Sequence, residues 1–113
     1  GKALPVLIIN GTADNVNPYN GGEMFVNNSS YGVVKSTDGS LNYWSALAGY
    51  SGAPAKANLP DTDPDDHKTI ESYTYNLPNK PAVSLLKVIG GKHEYPNDID
   101  VYLYVWNFFK SVQ

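Results

Sequence analysis

From Leu4 to Asn10 the chain reads Leu-Pro-Val-Leu-Ile-Ile-Asn, a short apolar run with no polar alternation. A strand that buries one face alternates apolar and polar residues. A continuous run suits a strand covered on both faces, as in a parallel sheet. The run therefore predicts an interior strand, and with the helices and strand pair that follow it an α/β layer. Gly11-Thr-Ala-Asp14 breaks the run, and Asn15, Asn17, Pro18, Asn20, Gly21 and Gly22 keep the next stretch in loop conformations. Asp14 is thereby placed just beyond the C-terminal end of a strand.

The remaining elements follow from local signals. Ser36-Thr37-Asp38 offers hydroxyl and carboxylate acceptors for a helix start, and Leu41, Trp44, Leu47 and Ala48 then fall on one face, with Gly49 as the stop. Ser51 to Lys68 is rich in Pro, Gly and Asp without an apolar period, and reads as a long surface connection. Thr69–Asn76 and Ala82–Ile89 read as an antiparallel strand pair turned by Pro78-Asn79-Lys80-Pro81. After Gly90-Gly91-Lys92-His93, the recurrence of Ile99, Tyr102, Trp106 and Phe109 predicts a closing amphipathic helix with this stripe, like that of Trp44, in the core. A right-handed crossover would set the first strand beside the last.

Size and charge narrow the function classes. One partial domain spans 1–113, since 113 residues with 42% hydrophobic content suffice for a single core. The net charge of -3 offers no basic face for a phosphate backbone, so nucleic acid is not an expected partner. No apolar run approaches the roughly 20 residues of a membrane helix, so no membrane partner is expected. The absence of cysteine excludes disulfides and thiolate metal sites within the sequence. The chain opens on Gly1, three residues before an apolar strand, as expected of a piece cut from a longer protein.

Two polar residues occupy matching places, Asp14 after Gly11 and His93 after Gly90 and Gly91, each at the exit of an apolar strand. In open α/β sheets that rim is where sites form. A histidine acting on a serine needs its second ring nitrogen held by a carboxylate, and Asp14 would do this if the two strands are neighbours. Taken singly, Asp14 reads equally as a turn cap and His93 as an ordinary loop histidine.

The segment Pro5-Val-Leu-Ile-Ile-Asn-Gly-Thr-Ala-Asp14, continuing to Gly22, resembles the acid-bearing segment of the polyhydroxybutyrate depolymerase and feruloyl esterase group of α/β-hydrolases. Gly90-Gly91-Lys-His93-Glu-Tyr-Pro96 resembles the histidine loop of that group. Ser36-Thr37 leading to Tyr43-Trp44, the loop Leu59-Pro-Asp61, and Val105-Trp106-Asn-Phe108-Phe109 recur there in the same order, so the likeness spans nearly the whole chain. The resemblance implies the C-terminal portion of an α/β-hydrolase sheet, with parallel strands, an antiparallel edge strand and packed helices. It implies a carboxylic-ester hydrolase in which Asp14 is the triad acid and His93 the general base. Its substrates would be esters of plant polysaccharide or a polyester, in a secreted or periplasmic setting, with no metal or organic cofactor. The chain departs from the group at Ala48-Gly49-Tyr50, where a cysteine often ends the middle helix, and at Lys92 and Glu94-Tyr95, where smaller or tryptophan-containing variants are common.

A nucleophilic serine in a G-x-S-x-G elbow should precede the acid in this fold, and none does here. Gly49-Tyr50-Ser51-Gly52-Ala53 is the nearest imitation, but it follows a helix and ends in alanine, so Ser51 is set aside. The serine and the oxyanion amides are expected from an upstream hydrolase segment, and the 113 residues alone are expected to be inactive. Tyr19, Tyr31 and Tyr95 are candidates for lining a substrate cleft. Asp61, Asp63 and Asp65 alternate like a calcium loop, but Asp66 and Ser72 stand where glycine and glutamate are required. His93-Glu94 lacks the second histidine of a zinc signature, Asn97 standing in its place, and His67 reads as an exposed loop residue. The rival class is a noncatalytic carbohydrate-binding or interaction module built on the nine tyrosines and two tryptophans. An apolar strand without its upstream neighbours would expose a sticky edge, so self-association or pairing with a partner segment is expected. Light scattering of the isolated chain should report a mass above the monomer; a stable monomer at high concentration would contradict the expectation.

Overall fold

The computed structural model describes residues 3–26, 29–62, 64–94 and 99–111. Its elements are β1 (Val6–Gly11), β2 (Gly22–Val26), β3 (Ser29–Val34), α1 (Thr37–Leu47), β4 (Ala55–Asn58), a 3₁₀ turn (Pro64–Asp66), β5 (Thr69–Tyr75), β6 (Val83–Ile89) and α2 (Val101–Ser111). The architecture is mixed α/β. Four strands form one sheet in the order β1-β6-β5-β4, and β2 and β3 form a separate hairpin. β1 runs parallel to β6, whereas β6 with β5 and β5 with β4 are antiparallel. The expected neighbourhood of first and last strands and the expected antiparallel pair are both present.

β6 is the strand buried on both faces. Val83 and Leu85 point to a cluster with Leu41, Ala48 and Tyr75, while Leu86 and Val88 join Ile70 on the opposite face. β1 follows the same division, Val6 and Ile8 toward α1 and Leu7 and Ile9 toward the other cluster. Covering of both faces accounts for its unbroken apolar run. Within the described sheet β1 is an edge strand, not the interior strand that its apolar run alone suggests, and its outer side is the edge expected of such a strand without upstream neighbours; Val6 to Ile9 are half-buried. Apolar residues on two faces report how a strand is sandwiched, not whether its hydrogen-bonding rim is taken.

α1 begins and ends on the expected residues. The Ser36 hydroxyl accepts from the Gly39 amide at 3.0 Å, satisfying one of the free first-turn donors. At the far end Gly49 takes φ of 87°. The Tyr50 amide donates to the Ser45 carbonyl and the Gly49 amide to the Ala46 carbonyl, the paired bonds of a Schellman stop. The connection 51–68 lies on the surface but contains a strand, β4, whose Ala-Lys-Ala-Asn side chains are all exposed. Such a strand has no apolar face to signal it; backbone pairing with β5 alone defines it.

α2 is the second correction. The helix forms, but the stripe expected in the core is outside: Tyr102 is 77% exposed, Trp106 61% and Phe109 44%. Val101 is buried, and Ile99 and Tyr104 pack on the cluster of Ile70, Leu86 and Val88. Val101, Tyr104, Val105 and Phe108 recur at the same helical spacing, so the helix is apolar on two sides and periodicity does not choose between them. Among the described residues no helix is long and apolar enough to cross a membrane.

These placements predict opposite outcomes for two large side chains. Leu86→Ala should cost about 2–5 kcal/mol of stability through the cavity it leaves, whereas Trp106→Ala should stay within about 0.5 kcal/mol of the parent. Urea unfolding measures both, and comparable losses would contradict this assignment of the core.

Candidate active site

The site is built where β1 and β6 leave the sheet side by side. Their parallel register pairs Gly11 with Val88, and the two exit loops then bond to each other. Thr12 N donates to Val88 O at 3.0 Å, Ala13 N to Gly91 O at 2.9 Å, and Gly90 N to the Thr12 hydroxyl at 2.8 Å. The approach is so close that a Cβ on Gly11 would sit 2.1 Å from the Gly91 carbonyl oxygen. Gly91 has no room for one against Val88, and Gly90 turns the chain at φ of 79° beside the His67 carbonyl. The three turn glycines are thus explained by close approach and, at Gly90, by its positive φ.

This frame brings Asp14 and His93 together across 79 residues of sequence, with Asp14 Oδ2 2.9 Å from His93 Nδ1. The other carboxylate oxygen, Oδ1, accepts from the backbone amides of Val16 at 2.9 Å and Asn17 at 2.8 Å. The Asp14 side chain is 6% exposed and that of His93 58%. Burial pushes the Asp14 pKa up, but the Asn17 amide, His93 and the Val16 amide together outweigh it and hold the carboxyl below its ordinary value. An ionised carboxylate only accepts hydrogen bonds, so the neutral imidazole must carry its proton on Nδ1. Nε2 is left with its lone pair and, among the described residues, has no hydrogen-bond partner.

A cleft of about 310 Å³ opens beside the pair, walled by the strand ends (Ile9, Gly11 and Val88), by Asn17, and by Lys92 and Glu94 on the histidine loop. Lys68 Nζ lies 2.5 Å from Glu94 Oε1, tying that loop to the residue before β5 and holding the Glu94 carboxyl below its usual range. No serine, threonine or cysteine is among the described residues that line the cleft.

The other candidates fall elsewhere. Tyr19 does not line the cleft: it is 6% exposed, its hydroxyl donates to Asp38 Oδ1 at 2.8 Å, and the Lys87 ammonium lies 5.2 Å from its ring centre. Burial and then Asp38 push its hydroxyl pKa well up. Tyr95 lies outside the described residues, as does Asp63, and Tyr31 lies on β3. Ser51 is exposed just after α1, and His67 is exposed with φ of 58°. Asp66 accepts from the Lys68 amide at 2.8 Å, a turn contact. Among the described residues, no three histidine or acidic side chains form a group that could hold a metal ion. The roles of Val16 and Asn17 were not foreseen, because they act through backbone amides and leave no side-chain signature.

Compared with protein-family models, with curated proteins and with solved structures, the chain finds no significant match.

The lowered Asp14 pKa fixes the sign of a pH effect. Its contribution to stability is complete above the ordinary aspartate range, about pH 4, and is lost as pH falls through the lower folded value. Asp14→Asn should therefore lose about 1–3 kcal/mol at pH 7 and show a flatter acid limb than the parent. Urea unfolding between pH 2 and 7 tests this; equal acid limbs would show that Asp14 is not held ionised by its partners.

Proposed function

We propose that the chain supplies the acid and the general base of a serine carboxylic-ester hydrolase of the α/β-hydrolase type. Asp14 is the acid and His93 the base. The observation that carries the reading is the 2.9 Å contact between a buried carboxylate and an exposed imidazole at the rim of a parallel strand pair. A merely structural acid–histidine pair has no need of a largely exposed imidazole at the wall of an open cleft.

In this reading Nε2 takes the proton of a serine hydroxyl as its oxygen attacks the ester carbonyl carbon. The imidazolium, stabilised by Asp14, returns that proton to the departing alkoxide as the carbon–oxygen bond breaks, leaving an acyl-serine. Water then repeats the sequence, giving up a proton to Nε2 and releasing the acid. The nucleophile and the oxyanion amides come from a segment outside the 113 residues, in keeping with a cleft that has no hydroxyl or thiol in its described lining. The open edge of β1 is where that segment, or a second copy, would pair. The substrates are esters of plant polysaccharide or a polyester, as the family resemblance implies. A noncatalytic carbohydrate-binding module is the second reading, favoured by the exposed Tyr102, Trp106 and Phe109 on α2; it gives no account of the Asp14–His93 contact.

The pure 113-residue chain should not turn over p-nitrophenyl acetate. In the protein that joins it to a nucleophile-bearing segment, His93→Ala and Asp14→Asn should each lower kcat on the order of 10³- to 10⁴-fold. Turnover by the isolated chain that His93→Ala abolishes would place the nucleophile inside it. An unchanged kcat in the joined protein would remove His93 from the mechanism.

A further inference from the structure

Asn10 and Thr37 are buried polar residues that take no part in the proposed chemistry, yet they are bonded to each other across 27 residues of sequence. Asn10 is the last residue but one of β1, and its side-chain Nδ2 donates to the Thr37 hydroxyl at 2.7 Å. The same nitrogen reaches the carbonyl of Asn17 at 3.5 Å. Asn17 is the residue whose amide donates to Asp14 Oδ1. Thr37 also holds the loop by its backbone, its amide donating to the Tyr19 carbonyl at 2.8 Å. The stretch from Asn17 to Tyr19 is therefore held at one end by Asn10 on β1 and at the other by Thr37, the first residue of α1, a helix itself fixed by the packing of Leu41 and Ala48 on the sheet.

We propose that Asn10 is a positioning residue which, held by the Thr37 hydroxyl, fixes Asn17 so that its amide occupies Asp14 Oδ1 and leaves Oδ2 to His93. A free carboxylate has two equivalent oxygens and rotates between them. With Oδ1 held by two backbone amides, Asp14 presents Oδ2 in one direction, and the His93 ring is locked with Nδ1 inward and Nε2 outward. A polar side chain at Asn10 is otherwise unexpected at the end of an apolar strand, where burial without partners would be unfavourable. The catalytic meaning of the device rests on the esterase reading. The contacts themselves do not.

The test reads the neutral His93 ring directly, by two-bond ¹H–¹⁵N correlation on the labelled chain, so that no nucleophile or substrate is needed. The parent should show the proton on Nδ1. Asn10→Ala and Thr37→Val should shift the tautomer ratio toward the Nε2-protonated form by about fivefold or more, the factor expected when the net contribution of one hydrogen bond is withdrawn. Thr37→Ser, which keeps the hydroxyl, should retain the parent ratio. Loss of stability alone, with the ratio unchanged in folded Asn10→Ala and Thr37→Val, would overturn the positioning role and leave the esterase reading standing. Should Asn10→Ala fail to fold, the contrast between the valine and serine variants at Thr37 decides the matter. A parent ring protonated on Nε2 would overturn both readings together.

Discussion

Everything at the rim depends on how closely the two strand exits approach. Gly11 meets Gly91 backbone to backbone, and the Ala13 amide donates to the Gly91 carbonyl. A side chain at Gly11 would force these loops apart, and the separation would propagate to Asp14 three residues on and His93 two residues on. Parallel pairing supplies the rest. Because β1 and β6 run the same way, both loops emerge at the same end of the sheet, and a contact between residues 79 apart becomes a local matter of two short turns. An antiparallel pair would have sent the two loops to opposite ends.

The pair is also asymmetric in its surroundings, and the burial of its acid sets it apart from Lys56–Glu71 and Lys68–Glu94. Glu71 and Glu94 are 24% and 52% exposed, where solvent screens much of the attraction. Asp14 is withdrawn from solvent and compensated by two backbone amides and one imidazole. Backbone donors are fixed by the turn itself, so the carboxylate pays little entropy to hold its orientation. The imidazole, by contrast, keeps most of its ring in solvent. One end of the contact is anchored and the other is presented to solvent.

The sequence was informative wherever a local signal had one physical cause. Ser36 and Gly49 mark the ends of α1 because caps are read residue by residue, and the strand pair β5–β6 follows from β-forming runs around a proline turn. Asp14, His93 and their glycines were legible from position at strand exits, and the structure brings them into contact. What escaped was set by pairing or packing at a distance. β4 has no apolar face, β1 is sandwiched without being interior, and α2 carries two apolar stripes of which the sheet takes the one through Val101 and Tyr104. Tyr19 escaped for a related reason: an aromatic residue in a polar loop reads as a surface group, yet here it is buried with its hydroxyl bonded to the Asp38 carboxylate.

These departures share a direction. Val6 N donates to the Ala82 carbonyl and Thr12 N to that of Val88, so the alternation of a parallel ladder turns the amide groups of Leu7 and Ile9 away from β6. An edge strand with apolar residues on both faces and unclaimed backbone groups is the arrangement that natural sheets ordinarily cover or charge. Among the described residues no strand pairs with that side of β1, and Val6 to Ile9 are all apolar. The rim ends beside the cleft that His93 lines, so one further strand laid parallel against β1 would deliver its own exit loop to the same place. A strand partner for β1 and a hydroxyl for the cleft, neither found among the described residues, would then be supplied by a single element. On the proposed reading, completing the fold and completing the chemistry are one event.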